Sequence, residues 1–412
     1  METEPPNNEH LQSASPHYAR PDHYLQYPIV LKSANGCHIS DITGKEFLDL
    51  NSVMGSVSCG HNVDSINNRL IEQIGKLWNS NFLPTETQLE AISKINAILP
   101  PQTSVAALYS TGAEAIELAL RLAREATGRN TILSFRDHFH GKTHGTMQLV
   151  EHFPDCYGPV PEAYRTVLES DGSDAPELLE KYLNALPAED LAAVIFEPVI
   201  GYSGPRLLHK DFLKTVRKFC DKNNVVMIAD EILTGFNRCD GWFYSSQGSV
   251  KPDVIVFGKG LGNGFPISGV ACANTLFEHV NKALPGSTFA GNSLACAAAC
   301  GVIDFMHQHD FPEKTRALEK VFYDYFSAPR FESKGVRVDG TGALLSIGFD
   351  DPSFNKMQDI YLHVQNEGVL TSHTQKYLRL MPPLTITTTE FENGIEIIGT
   401  CLDAFFAKSA KR

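Results

Sequence analysis

Asn224-Val225-Val226-Met227-Ile228-Ala229-Asp230-Glu231 and, further on, Val254-Ile255-Val256-Phe257-Gly258-Lys259-Gly260 decide the fold. Each is an unbroken apolar run, too short for a helix, that ends on a charged residue. A strand buried on both faces reads this way, whereas a half-exposed strand alternates. Working outward, similar β-rich runs occur at 105–110 (VAALYS), 131–135 (TILSF) and 192–197 (AAVIFE). Helical patterns fall between several of them, at 113–126, 174–186 and 210–222. Strands separated by helices predict an α/β fold with a mostly parallel central sheet covered on both faces.

The last hundred residues read differently. They suggest helices near 292–308, 314–328, 355–367 and 389–407, and strands near 335–339, 343–348 and 378–382. The segment 37–49 (CHISDITGKEFLD) carries turn chemistry at Thr43–Gly44 and is expected to pack with them. The expected organisation is therefore a polar, mobile N-terminus over 1–22, then 23–60 and 309–412 together as a small α+β domain. Residues 61–308 form the large domain.

Composition narrows the function. The 412 residues carry 35 Lys+Arg against 48 Asp+Glu, a net charge of −13, which argues against a dedicated nucleic-acid binder. No apolar stretch approaches the ~20 residues needed to span a bilayer, and the first 22 residues lack the apolar core of a secretory signal. The cysteines sit at 37, 59, 156, 220, 239, 272, 296, 300 and 401, with no CxxC pair or Cys/His cluster. Cys296 and Cys300, in LACAAAC, read as small hydrophobes in a helix contact and not as metal ligands. A reducing cytoplasm suits this pattern.

In open α/β sheets ligands gather at the carboxyl ends of the strands, so the residues after each strand matter most. Ser110-Thr111-Gly112-Ala113-Glu114 opens a helix, with Thr111 and Glu114 at capping-box spacing. Taken alone it reads first as a well-capped helix start; the functional alternative is an anion cup in which Gly112 admits a phosphate to free N–H groups. Phe139-His140-Gly141-Lys142 offers an aromatic beside a loop; its histidine, taken alone, reads as a surface or hydrogen-bonding residue. Glu197 and Asp230 each end an apolar strand. A carboxylate in such a place needs a charge or hydrogen bonds, or a ligand cation. Lys259 ends another strand among glycines, in a run that is neither a P-loop nor a dinucleotide fingerprint. A lysine there loses hydration, and its amine becomes nucleophilic. Phosphate cup, aromatic platform, strand-end acid and strand-end lysine together are what pyridoxal 5'-phosphate requires.

With these residues in place, the chain resembles the class III aminotransferases, which include ornithine, acetylornithine and 4-aminobutyrate aminotransferases. The resemblance runs from about residue 36 to 405 in the family's order. It comprises Asp41-x-x-Gly44, Phe47-Leu48-Asp49, Gly60-His61, Ser110 to Ala115, Phe139-His140-Gly141, Phe196-Glu197-Pro198 and Asp230 to Phe236. Pro252-Asp253, Gly258-Lys259-Gly260, Thr288-Phe289-x-Gly291-Asn292 and Arg379-x-x-Pro382-Pro383-Leu384 complete it. It implies the fold-type I pyridoxal-phosphate transferase architecture and a ping-pong transfer of an amino group, often a terminal one, from an amino acid or amine to a 2-oxo acid. It also implies roles. Lys259 links to the cofactor and later moves the proton. Asp230 partners the pyridine nitrogen, and Glu197 belongs to the cofactor pocket. Phe139 stacks on one ring face and Ile232 packs the other. Thr111, Gly112 and Ala113 bind the phosphate, and Thr288 reaches the neighbouring subunit's phosphate in a homodimer or tetramer with shared sites. Arg379 grips a substrate carboxylate.

The chain departs from the ornithine and 4-aminobutyrate prototypes at several positions. Lys142 stands where they have an arginine for a distal carboxylate, and a lysine cannot bind it bidentately. Tyr202 stands where they have a glutamate that pairs with the carboxylate-binding arginine. Leu233 replaces a glutamine, Asn237 replaces a small residue, and Met54 makes the substrate-side wall apolar. These departures favour the broad ω-aminotransferase branches. Two other readings stay open at this stage: a same-fold epimerase, aminomutase or decarboxylating transaminase, and a catalytically silent binding homologue.

Overall fold

The computed structural model describes residues 29–150, 155–158, 165–168, 176–248 and 250–409; the polar stretch 1–22 lies outside them. Its centre is a seven-stranded sheet. In chain order the strands are β1 (Thr103–Tyr109), β2 (Thr131–Phe135), β3 (Arg165–Leu168), β4 (Leu191–Phe196), β5 (Val226–Asp230), β6 (Val254–Phe257) and β7 (Ser268–Ala273). They lie side by side as β1-β7-β6-β5-β4-β2-β3. The pairs β5–β6, β4–β5, β2–β4 and β2–β3 are parallel, while β7 runs antiparallel to both β6 and β1. Every residue of β4, β5 and β6 is buried, as the continuous apolar runs require.

Helices cover both faces. The helix α1 (Gly112–Thr127) starts with the expected capping box: the Thr111 hydroxyl accepts from Glu114 N, and the Glu114 carboxylate accepts from Thr111 N at 2.9 Å. It stops where Gly128 turns left-handed, φ 67°. Between those ends Ala115, Ile116, Leu118, Ala119, Leu122 and Ala123 bury one stripe against β1, β7 and the strands beside them. On the opposite face α2 (Phe212–Asn223) sinks Phe212, Val216 and Phe219 into a second cluster with Phe135, Val194 and Phe196.

The first and last described segments pack together. Strands Leu31–Asn35, His38–Asp41 and Glu46–Asp49 form an antiparallel meander whose turn lies at Thr43–Gly44, and Val369–Leu370 adds to it in parallel. A second small sheet joins Val336–Thr341, Leu344–Phe349, Leu378–Leu380 and Ser372–His373. Residues of helices Phe311–Phe326, Met357–Asn366 and Thr388–Ser409 share one core with it. Helix Ser293–His307 buries Cys296 and Cys300 in that core, and burial pushes both thiols up to about 12. No group of His, Cys, Asp and Glu among the described residues is arranged to hold a metal ion.

Candidate active site

At the carboxyl ends of β1, β2, β4, β5 and β6 lies a cavity of about 320 Å³. Of the residues singled out from the sequence, Met54, Gly112, Ala113, Phe139, Glu197, Tyr202, Asp230, Ile232, Lys259 and Arg379 line it. Thr111, Lys142 and Thr288 are exposed and stand outside its lining. Each lining residue arrives by a different local device.

Lys259 follows β6 by two residues and opens a tight turn, Lys259–Gly262, with a left-handed φ of 41°. That conformation is unfavourable for a side-chain-bearing residue, and the neighbouring glycines leave room for it. The residue is partly buried in the cavity lining. Burial drives its pKa down from 10.5 to about 8, opposed by the negative charge of Glu197 and Asp230 and assisted by Arg379 and Arg238. Near neutrality its nucleophilic, proton-accepting form is therefore within reach.

Asp230 closes β5. Its Oδ1 accepts from Ile232 N at 3.1 Å, and its Oδ2 accepts from His140 Nδ1 at 2.7 Å. His140 is only 2% exposed, so of its two sequence readings, surface or hydrogen-bonding, the structure shows the second. The available signal was Asp230 itself: an acid ending a buried strand calls for a donor, and His140 sits in a loop that ends at the same crevice. Glu197 follows β4 and accepts from Phe139 N at 2.9 Å. Burial, with Asp230 nearby, raises its carboxyl to about 8. This acid thus anchors the aromatic-bearing loop while staying largely protonated at neutral pH.

One end of the cavity is the start of α1, where Gly112 and Ala113 line it. The first N–H groups of a helix have no partner within it and carry its positive dipole end. A Cβ on Gly112 would fall 2.7 Å from Ile232 Cδ1, so the glycine lets the helix start and the Ile232 side chain approach one another. Ser268 Oγ donates to the Thr111 carbonyl at 2.7 Å and fixes the entry of the helix.

The outer wall comes from the chain ends. Arg379 sits in Leu378–Leu380, whose alternation sends both leucines into the core and the guanidinium the other way. Met54 is carried on a left-handed turn in which Ser52, Val53, Met54 and Gly55 have φ of 47°, 50°, 59° and 77°. Asp49 Oδ1 holds that turn by accepting from Asn51 N and Ser52 N at 2.8 and 2.9 Å, and Ser52 Oγ donates to the Met381 carbonyl at 2.5 Å. Gly55 is required because a Cβ there would meet Leu233 Cδ1 at 2.7 Å. Arg238, fully buried, ties the same region together: it donates to the Ala343 and Pro382 carbonyls and to Ser58 Oγ, at 3.1, 2.5 and 3.2 Å. The sequence reading had not singled it out.

Lysine, acid, aromatic, aliphatic and helix N-terminus thus converge on one cavity whose donor set suits a phosphorylated pyridine aldehyde. Residues 18–402 match the aminotransferase class-III family. The chain is 32% identical to acetylornithine aminotransferase of Archaeoglobus fulgidus over 379 residues, covering 91% of this chain and 96% of that one. It is 30% identical to the 4-aminobutyrate aminotransferase GabT of Escherichia coli, over 92% and 94% of the two chains. Acetylornithine aminotransferase from Elizabethkingia anophelis superposes with a TM-score of 0.81 at 28% identity, over 96% and 98% of the two chains. Taurine:2-oxoglutarate aminotransferase from Bifidobacterium kashiwanohense, solved with PLP and glutamate, shares the fold at a TM-score of 0.89 and 22% identity, over 97% and 98% of the chains. The chain belongs to the class III aminotransferases, pyridoxal-phosphate-dependent enzymes of fold type I.

Proposed function

We propose the following division of labour among this chain's residues. Bound pyridoxal phosphate supplies an electron-withdrawing ring that stabilises negative charge on the carbon losing its proton. Lys259 Nζ holds the cofactor at rest, then takes that proton from the donor carbon and returns it on the far side of the reaction. Its depressed pKa suits an acid–base group working near neutrality. Asp230 would partner the pyridine nitrogen of a bound cofactor, and His140 positions that carboxylate through Oδ2. Gly112 and Ala113 take the phosphate, with Thr111 setting the first turn. Phe139 and Ile232 flank the ring, and Arg379 receives the substrate carboxylate. The donor is an amino acid or amine, often reacting at a terminal amino group.

The observation that carries this reading is that the Lys259 amine lines one cavity together with two buried carboxyls and a helix start. Borohydride reduction of the loaded enzyme should fix the cofactor covalently on Lys259, and Lys259→Ala should lose both the fixation and the visible absorbance of the bound cofactor. Fixation on another residue would refute the assignment.

We further propose a homodimer with shared sites. Trp78, Phe82, Leu83 and Phe289 are 60%, 78%, 73% and 63% exposed. They form one patch, since Trp78 O accepts from Ser293 N at 3.0 Å and Asn79 Nδ2 donates to Thr288 O at 2.9 Å. The patch adjoins the phosphate end, where Ser110 Oγ donates to the Phe289 carbonyl at 3.4 Å. Such apolar surface marks an interface, and a second copy would bring Thr288 towards its neighbour's phosphate. Among the described residues no helix is long and apolar enough to cross a membrane. Eight of the nine cysteines are buried and all nine are free, which supports placing the enzyme in a reducing cytoplasm. We retain the expected division into 23–60 with 309–412 and a large unit 61–308.

A further inference from the structure

Four consecutive residues beside the cavity, Ser52, Val53, Met54 and Gly55, are left-handed, with φ of 47°, 50°, 59° and 77°. Only the last is a glycine. The other three adopt a conformation that side-chain-bearing residues avoid, and for the β-branched Val53 it is a pronounced outlier. Such strain persists only where the surroundings over-determine it, and it gathers where geometry serves a reaction.

The bracing comes from both ends of the turn. Asp49, which closes strand Glu46–Asp49, is 1% exposed. Its Oδ1 accepts from Asn51 N and Ser52 N at 2.8 and 2.9 Å, and its Oδ2 accepts from His61 Nε2 at 2.8 Å. One carboxylate thus serves three donors, as a buried acid requires. Both partners are anchored through their backbones. Asp49 N donates to the Cys37 carbonyl at 2.8 Å, and His61 exchanges backbone hydrogen bonds with Gly36 at 2.8 and 2.9 Å. At the far end the Gly55 carbonyl accepts from Ser58 Oγ at 3.3 Å, which in turn accepts from Arg238 Nη2 at 3.2 Å.

The braced turn is tied to the cavity wall. Ser52 Oγ donates to the Met381 carbonyl at 2.5 Å, and Met381 N donates to the Leu50 carbonyl at 2.7 Å. Met54 and Met381 both line the cavity. Methionine side chains are adaptable, so a defined wall built from two of them needs a defined backbone. A right-handed turn between the same ends would aim the side chain of residue 54 differently. We infer that Asp49 and His61 are positioning residues of this active site: as a pair they hold Ser52–Gly55 left-handed, and the strained turn sets Met54 and Met381 as one apolar wall for the bound amino donor. The donor's place there rests on the aminotransferase reading; the bracing does not.

The test uses the loaded enzyme and its Asp49→Ala, His61→Leu and His61→Gln variants, with Asp49→Ala combined with Val53→Gly as a rescue. Hydrogen exchange of the peptide spanning 50–57 is followed by mass spectrometry, and borohydride fixation on Lys259 reports whether the cofactor site is intact. Single turnovers with L-ornithine, 4-aminobutyrate, L-alanine and hexylamine give the limiting rate and the half-saturating concentration of the donor that reacts fastest with wild type. Asp49→Ala and His61→Leu should speed exchange in that peptide by about tenfold or more. They should also raise the half-saturating concentration by about tenfold, with fixation retained and the limiting rate within about threefold of wild type. His61→Gln keeps a donor for Asp49 Oδ2 and should stay within about threefold of wild type in exchange and half-saturation. Val53→Gly relieves the strain that the pair opposes and should recover at least about threefold of the affinity lost in Asp49→Ala. Unchanged exchange, an unchanged half-saturating concentration, or fixation and limiting rate falling together with affinity would overturn the inference and leave the aminotransferase reading standing. Failure of all four donors with the wild type would overturn that reading, and the donor wall with it.

Discussion

Lys259 is poised at a cost that stability measurements can read. Its native pKa of about 8 lies below the 10.5 of an ordinary lysine, so the folded state disfavours the charged amine relative to the unfolded chain. At about 1.4 kcal/mol per tenfold change in the proton equilibrium, this displacement amounts to about 3 kcal/mol. The sign follows from the direction. Below pH 8 both states carry the proton and the folded state bears the whole cost. Between 8 and 10.5 the unfolded chain is the more protonated, so stability rises with pH and the cost fades. Glu197, raised by burial, titrates together with this amine, so the stability difference belongs to the pair. In cofactor-free protein at pH 6.5, Lys259→Met should therefore be more stable than wild type by about 3 kcal/mol. Near pH 10 the gain should shrink below about 1 kcal/mol. Urea unfolding at fixed protein concentration gives both numbers. A variant no more stable than wild type at pH 6.5, or an advantage that grows with pH, would refute the argument that desolvation tunes this amine.

Gly112→Ala places a Cβ 2.7 Å from Ile232 Cδ1; it should weaken cofactor affinity by about 1–3 kcal/mol, read by titrating the cofactor-free protein with pyridoxal phosphate. Val53 is 53% exposed and sits at φ 50°, a strained setting for a β-branched residue. Val53→Gly should raise stability by about 1 kcal/mol, seen as a higher Tm in calorimetry, and a lower Tm would contradict the strain argument. If the proposed dimer forms through the exposed apolar patch, Trp78→Glu combined with Phe82→Glu should shift sedimentation towards monomer.

The parts of the fold that followed from sequence are those where one residue type has one physical use. Apolar runs ending in Glu197, Asp230 and Lys259 are buried parallel strands whose ends line the cavity, and the Thr111/Glu114 spacing is a capping box. β7 was not anticipated, because SGVACA is built largely of small residues and its antiparallel direction is set by its neighbours β1 and β6. The left-handed turn at Ser52–Gly55 was hidden as well, since Val53 and Met54 are residues that ordinarily avoid positive φ. His140 and Arg238 escaped for a related reason. Their burial depends on partners 90 residues or more away, Asp230 for the one, and Ser58, Ala343 and Pro382 for the other.

The account's central claim is that this cavity transfers an amino group with Lys259 as the proton carrier. A single turnover measures it most directly. Loaded enzyme is mixed with one amino donor, without an oxo acid, while cofactor absorbance, oxo product and carbon dioxide are followed together. The expected result is complete loss of the original absorbance, with one equivalent of oxo product per site and no carbon dioxide. Scrambling of the donor's stereochemistry with the cofactor unchanged, or release of carbon dioxide in step with turnover, would contradict it.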